Sequence, residues 1–211
     1  MPGRPDAQER DGIDVAADEA EKRFSQGWSP SAEARQAFIR NLTRNVHELA
    51  SLSSISASDV DVARNLERAI DHALDMAEID PADMPASGYA RKILYADPAG
   101  RFTALRLTWS SGATTPVHGH HVWCTFGVVN GCLSELRMAE ATFNPRDASE
   151  SRIEAGTTRK DLPGEHLHRI RNMNDRLCVS IHIYGIDAKR SGSHVNNIFP
   201  DSVLHQTTGH A

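Results

Sequence analysis

The sequence predicts a mainly β fold with a short α-helical N-terminal portion, and three observations lead there. Before residue 78, two stretches repeat apolar residues three and four apart. Beyond Ile79 that period gives way to short β-prone runs separated by turn residues. Those runs recur at the close spacing of a sandwich or barrel.

Taken in order, residues 1–28 are charged and small without sustained periodicity and read as a flexible N-terminal arm. A helix is predicted from Ser29-Pro30, with Ser29 as N-cap and Pro30 at the first helical position. Its apolar stripe is Ala34, Ala37, Phe38, Leu42, Val46, Leu49 and Ala50. A second helix is predicted over 58–77, with Val62, Leu66, Ala69, Ile70, Ala73 and Leu74 on one side. Asp80-Pro81, Met84-Pro85 and Ser87-Gly88 then break the helical pattern. Strands are predicted over 91–96, 102–109, 122–129, 133–138, 169–172 and 178–184. Hairpins are predicted at Asp97-Pro98-Ala99-Gly100 and at Asn130-Gly131. Residues 29–211 form one domain on this reading, helical over 29–78 and barrel-like from about 90.

Composition narrows the function. The 211 residues carry a formal charge of −5, which supplies no basic face for nucleic acid. No apolar run approaches the roughly 20 residues of a membrane span, and the N-terminus lacks the apolar stretch of a secretory signal. Cys124, Cys132 and Cys178 are odd in number and without CxxC spacing, which fits a reducing cytoplasm better than a disulfide framework. Expected partners are small molecules, in a monomer or small homo-oligomer.

The unusual count is histidine, with 11. His118-Gly119-His120 sets two imidazoles at i and i+2, which share one face of a strand and can reach one metal. Imidazole suits iron, zinc, copper and nickel alike, and two exposed histidines at a strand start would give the same pattern. Around the pair stand Gly112, five residues upstream of His118, then Cys124 and Gly131. This frame resembles the first motif of the cupins, G-x5-H-x-H-x3-E-x6-G, with Cys124 in place of the acidic ligand. His168-Arg169-Ile170-Arg171-Asn172 resembles the H-x3-N that ends the second cupin motif. The resemblance implies a cupin double-stranded β-helix barrel with its metal inside.

Further along, Ser180-Ile181-His182-Ile183-Tyr184 matches the S-x-H-x-Y segment of the cysteine dioxygenase family, the thiol-oxidising branch of the cupins. Resemblance to that family covers roughly 89–184. It implies Fe²⁺, one per chain, held by His118, His120 and His168, with small thiols and O2 as substrates. It also implies a catalytic set in which Ser180 and His182 orient the Tyr184 hydroxyl beside the iron. Cys124 matches the cysteine that forms a thioether with that tyrosine in some members. Tyr89-Ala90-Arg91 matches the Y-x-R whose arginine binds the substrate carboxylate, where 3-mercaptopropionate enzymes carry glutamine.

Physical chemistry bears on each role. Residues 180, 182 and 184 alternate, so they project together from a strand. A tyrosine held by an imidazole can donate a proton, although a strand with a merely polar face would show the same alternation. A guanidinium suits bidentate carboxylate binding; an exposed strand arginine is the plain alternative. For Cys124 the alternative is a small buried apolar side chain. Three neutral histidines leave a divalent ion its full charge and three open positions, suited to a thiolate together with dioxygen.

Departures from the family are Gly119, where H-D-H is usual, and the spare imidazoles His121 and His166. His166 shares a strand face with His168 and competes with it as ligand. No carboxylate near the motifs offers a general base. The leading expectation is oxidation of L-cysteine to its sulfinate. The alternatives are 3-mercaptopropionate or mercaptosuccinate as substrate, a cupin that binds metal without turnover, and a zinc or nickel isomerase. The tail from Ile186 carries no readable motif, though Arg190 and His194 could reach a pocket mouth.

Overall fold

The computed structural model describes residues 30–52, 60–75, 84–139, 147–192 and 194–205. Ser29, the arm 1–28 and the predicted turn at Asp80-Pro81 lie outside them. The mainly β architecture and its helical N-terminal portion are as the sequence predicts. Helix α1 spans Ala32–Leu52 and α2 spans Val60–Ala73. Ten strands follow among the described residues: β1 Tyr89–Ala96, β2 Thr103–Trp109, β3 Val117–His120, β4 Cys124–Asn130, β5 Cys132–Ala139, β6 Ser149–Glu154, β7 Thr158–Asp161, β8 His166–Asn172, β9 Cys178–Tyr184 and β10 Asn196–Phe199. They form two five-stranded antiparallel sheets, ordered β1-β2-β9-β4-β7 and β10-β3-β8-β5-β6.

Helix α1 starts two residues later than predicted. The Ala34 amide donates to Ser31 Oγ at 3.1 Å, so Ser31 and not Ser29 caps it, and Pro30 precedes the cap. The hydroxyl at 31 is the one within reach of a free first-turn amide. Phe38, Leu42, Val46, Leu49 and Ala50 are buried as the stripe requires, joined by Ile39. With Val62, Leu66, Ile70 and Ala73 of α2, and Leu74 just after it, they pack in one cluster with Val179, Ile181 and Ile183 of β9. The helices thus cover the outer face of the first sheet, and the alternate residues of β9 turn inward.

The β1–β2 turn closes as predicted, with the Gly100 amide donating to the Asp97 carbonyl at 2.8 Å. Asn130-Gly131 is not a hairpin. Its flanking strands lie in different sheets, β4 against β9 and β7, β5 against β8 and β6. Gly131, at φ +81°, turns the chain through a corner from one sheet to the other. Strands β3, β6, β7 and β10 exceed the predicted set. They are short, and β6 buries only Ile153, so they lack the apolar alternation that marks a strand in sequence.

Candidate metal centre

Two paired strands assemble the histidines. Within β3, His118 and His120 point to one face, and the β3–β8 pairing sets His168 directly across from His118. The three rings lie within ligand distance of one another, their candidate donor atoms mutually inside 4.8 Å, and each residue is at most 5% exposed. His166 stands outside this group. Its Nδ1 meets Asp161 Oδ1 at 3.1 Å.

Hydrogen bonds orient the donor atoms. His118 Nδ1 lies 3.0 Å from the Pro116 carbonyl, which can only accept, so this nitrogen carries the proton and Nε2 is bare. His168 Nδ1 donates to Glu135 Oε1 at 2.8 Å, again leaving Nε2 bare. The two Nε2 atoms then face each other at 3.1 Å. Two nitrogens this close require one proton or one cation between them, and neighbouring imidazoles on a divalent ion, at about 2.1 Å each, stand about 3 Å apart. Burial holds all three imidazoles below their ordinary pKa, His120 and His168 well below, so they are neutral and ready to ligate. The residues present fit a transition metal.

Contrary to the sequence-based expectation, two carboxylates lie behind the histidines. Glu135 supports His168, and Asp161 Oδ2 lies 3.7 Å from His120 Nδ1, both atoms lacking a hydrogen-bond partner. Burial raises the pKa of both acids from its ordinary value, opposed by Arg137. Arg137 bridges them, with Nη2 3.0 Å from Asp161 Oδ1 and Nε 3.9 Å from Glu135 Oε1. Arg159 adds a second cation 4.0 Å from Glu135. Two acids and two arginines balance, so no net charge from this layer offsets a bound cation. These residues escaped the motifs because Glu135 meets His168 through the β5–β8 pairing, and Asp161 comes from the other sheet.

Ser180, His182 and Tyr184 face inward from β9 as a hydrogen-bonded chain. Ser180 Oγ lies 2.9 Å from His182 Nε2, and His182 Nδ1 lies 3.2 Å from the Tyr184 hydroxyl. Trp109, a member the motif does not name, donates from Nε1 to Ser180 Oγ at 2.9 Å. Ser180 is fully buried, so its own proton must go to His182 Nε2 or be left without an acceptor. His182 therefore carries its proton on Nδ1 and donates to Tyr184, and the phenol hydrogen points away from it, on the side where Cys124 interacts with Tyr184. Burial lowers the His182 pKa to about 3 and raises that of Tyr184 well above the usual, so both are neutral. Phe126 stacks on His182, with ring planes 7° apart.

Cys124 is directly opposite Tyr184 in the β4–β9 ladder, and Asp161 is directly opposite Cys124 in β4–β7. The two side chains interact, and burial raises the thiol pKa well above normal. Cys124, Cys132 and Cys178 are all free. Tyr89 and Arg91 of β1 line one cleft with the three histidines, His182 and Tyr184. The Arg91 charge acts on both His182 and Tyr184. Asn196 of β10, in the tail without a motif, lines the same cleft. Arg190 and His194 instead border a separate open cavity of about 650 Å³ with Arg101 and His121.

Two antiparallel sheets with a three-histidine centre thus define the architecture. The model of the family "Cysteine dioxygenase type I" matches residues 30–188, and the chain belongs to that family. Among solved structures, an oxalate oxidase is similar over 49% of this chain and 54% of its own, at 17% identity and a TM-score of 0.40. The oxalate decarboxylase of Lactobacillus farciminis is similar over 55% of this chain and 32% of its own, at 15% identity and a TM-score of 0.43. The cupin domain of Cnp3 from Schizosaccharomyces pombe is similar over 49% of this chain and 71% of its own, at 18% and 0.38. The matched region spans about half the length of the oxalate oxidase chain. No helix among the described residues is long and apolar enough to cross a membrane.

Proposed function

We propose that this chain is an iron-dependent thiol dioxygenase that converts a small thiol carboxylate, L-cysteine foremost, to its sulfinate. The supporting observation is one cleft that gathers three imidazole donors, the Tyr184 hydroxyl and the Arg91 guanidinium. Family membership supports dioxygenase chemistry; the choice of metal and substrate is our reading. In the overall reaction a thiol and O2 give a sulfinic acid. Both oxygen atoms bond to sulfur, which loses four electrons as dioxygen gains them.

His118, His120 and His168 would hold Fe²⁺, which when bound supplies a cationic redox centre where thiolate and dioxygen meet. Arg91 forms no hydrogen bond or ion pair among the described residues, so its fork is available to the substrate carboxylate. The Tyr89 ring lies tilted against Trp109, centroids 4.8 Å apart, and walls the cleft beside it. Tyr184 offers its hydroxyl proton to developing negative charge, held in place by His182, Ser180 and Trp109. Buried side chains around the histidines keep bulk water from the reacting sulfur. Free buried cysteines suit a reducing, cytoplasmic setting.

The test is to load the protein anaerobically with Fe²⁺ and follow oxygen uptake and sulfinate formation. The panel is L-cysteine, 3-mercaptopropionate, mercaptosuccinate and cysteamine. Sulfinate from cysteine, and much less from cysteamine, is expected. No sulfinate from any thiol overturns the proposal, and cysteamine outperforming cysteine overturns the role given to Arg91.

A further inference from the structure

We propose that Asp161 is the positioning residue of His120: its unengaged carboxylate oxygen accepts the Nδ1 proton of that ring and so commits Nε2 to the metal. The inference rests on the reading of His118, His120 and His168 as iron ligands and deepens it. Two of the three rings already have an acceptor behind them, the Pro116 carbonyl for His118 and Glu135 for His168. His120 has none. Its Nδ1 is shut off from solvent and lies 3.7 Å from Asp161 Oδ2, which is equally shut off and equally without a partner. A buried N–H without an acceptor is costly, and so is a buried carboxylate oxygen without a donor. A movement of less than about 1 Å satisfies both, since a charge-assisted N–H···O bond closes at about 2.8 Å.

The other oxygen makes the carboxylate the fixed half of this bond. Asp161 ends β7, in the sheet that does not carry the three histidines, and stands opposite Cys124 on β4. Arg137 Nη2 lies 3.0 Å from its Oδ1, and His166 Nδ1 lies 3.1 Å from the same atom. Two donors from the facing sheet thus clamp one oxygen and leave the other toward His120. The spare imidazole His166 gains a use here, holding the carboxylate and not the metal. The clamp also dictates what an amide would do. Arg137 can only donate, so the oxygen of an asparagine would stay with Arg137 and its NH2 would meet the His120 N–H, donor against donor. With the proton held on Nδ1, all three rings offer a bare Nε2.

The test uses the full chain, isotopically labelled at histidine nitrogen and loaded without oxygen with Co²⁺. The paramagnetic ion shifts the ring N–H signals of its ligands away from all others. The unaltered protein is expected to show three such signals that exchange slowly with water. Asp161→Asn, of the same shape, should move the His120 signal or lose it to exchange and leave those of His118 and His168 in place. It should also weaken Fe²⁺ binding about 10- to 100-fold against a competing chelator. A residue that only held the sheets together would move all three signals or none. Two slow signals in the unaltered protein, three that Asp161→Asn leaves unmoved, or three that move together overturn the role of Asp161 and leave the metal centre standing. The first of these outcomes needs no variant to fold. An unaltered chain that binds neither Co²⁺ nor Fe²⁺ overturns both.

Discussion

His118 and His168 stand directly across from one another in the β3–β8 ladder, with bare Nε2 atoms 3.1 Å apart. Their rivals for the metal are distinguished by the same geometry, since His166 is engaged with Asp161. His168→Ala is expected to abolish iron retention, measured as iron per chain after desalting, whereas His166→Ala should retain it. The reverse pattern would reassign the ligand.

The His168–Glu135 hydrogen bond predicts a graded effect on metal affinity. Glu135→Ala leaves a buried N–H without an acceptor and frees the ring to turn, and a loss of about 10- to 100-fold in affinity is expected. Glu135→Gln keeps an acceptor and should lose less. Anaerobic titration with Fe²⁺ against a competing chelator reads both, and equal affinities in all three proteins would remove Glu135 from the metal's support.

Opposition of Cys124 and Tyr184 in the β4–β9 ladder brings sulfur and phenol together. After aerobic turnover with iron, a fraction of the protein is expected to carry a thioether between them, with dioxygen accepting the two hydrogens lost. Peptide mass spectra should show one cross-linked species, absent from Cys124→Ser. Two unmodified peptides throughout would count against the bond.

Buried neutral histidines make the metal-free protein sensitive to acid. His118, His120, His168 and His182 all have folded pKa values pushed below the ordinary 6.5, His182 to about 3. As pH falls through about 6.5 the unfolded chain binds protons that the folded chain refuses, so stability falls with falling pH. The slope is up to about 1.4 kcal/mol per pH unit for each histidine. Glu135 and Asp161, raised by burial, act in the opposite sense nearer the carboxylate range, taking up protons first in the folded state. Thermal melts with chelator should show Tm dropping from pH 7 to pH 5; a flat Tm would contradict the assignment.

Helix packing is testable at Gly127. A Cβ there would sit 2.6 Å from the Phe38 ring of α1, far inside van der Waals contact. Gly127→Ala should cost about 1–3 kcal/mol, read as a lower urea midpoint, and Phe38→Leu in the same chain should recover part of it.

Much of this was written plainly in the chain. The alternation of Ser180, His182 and Tyr184 with Ile181 and Ile183 identifies β9 and its inward face, because polar and apolar residues alternate there with a strand's period of two. The i, i+2 spacing of His118 and His120 works the same way. What escaped depends on partners distant in sequence. Glu135 reaches His168, and Asn196 reaches the cleft, only through ladders that local pattern does not encode. Asn130-Gly131 has the residues of a hairpin turn but serves a corner between sheets, since Gly131 permits the positive φ that either use requires.

Strand β9 binds two tasks to one backbone. Val179, Ile181 and Ile183 are gripped by the helices on one side, while Ser180, His182 and Tyr184 face the cleft on the other. A change in the grip cannot stay private to the helices: rotating the strand to suit a new apolar neighbour also re-aims the phenol. Turnover should therefore register repacking at sites far from any reacting atom, and α1 and α2 belong to the tolerance of the chemistry as much as to the stability of the fold.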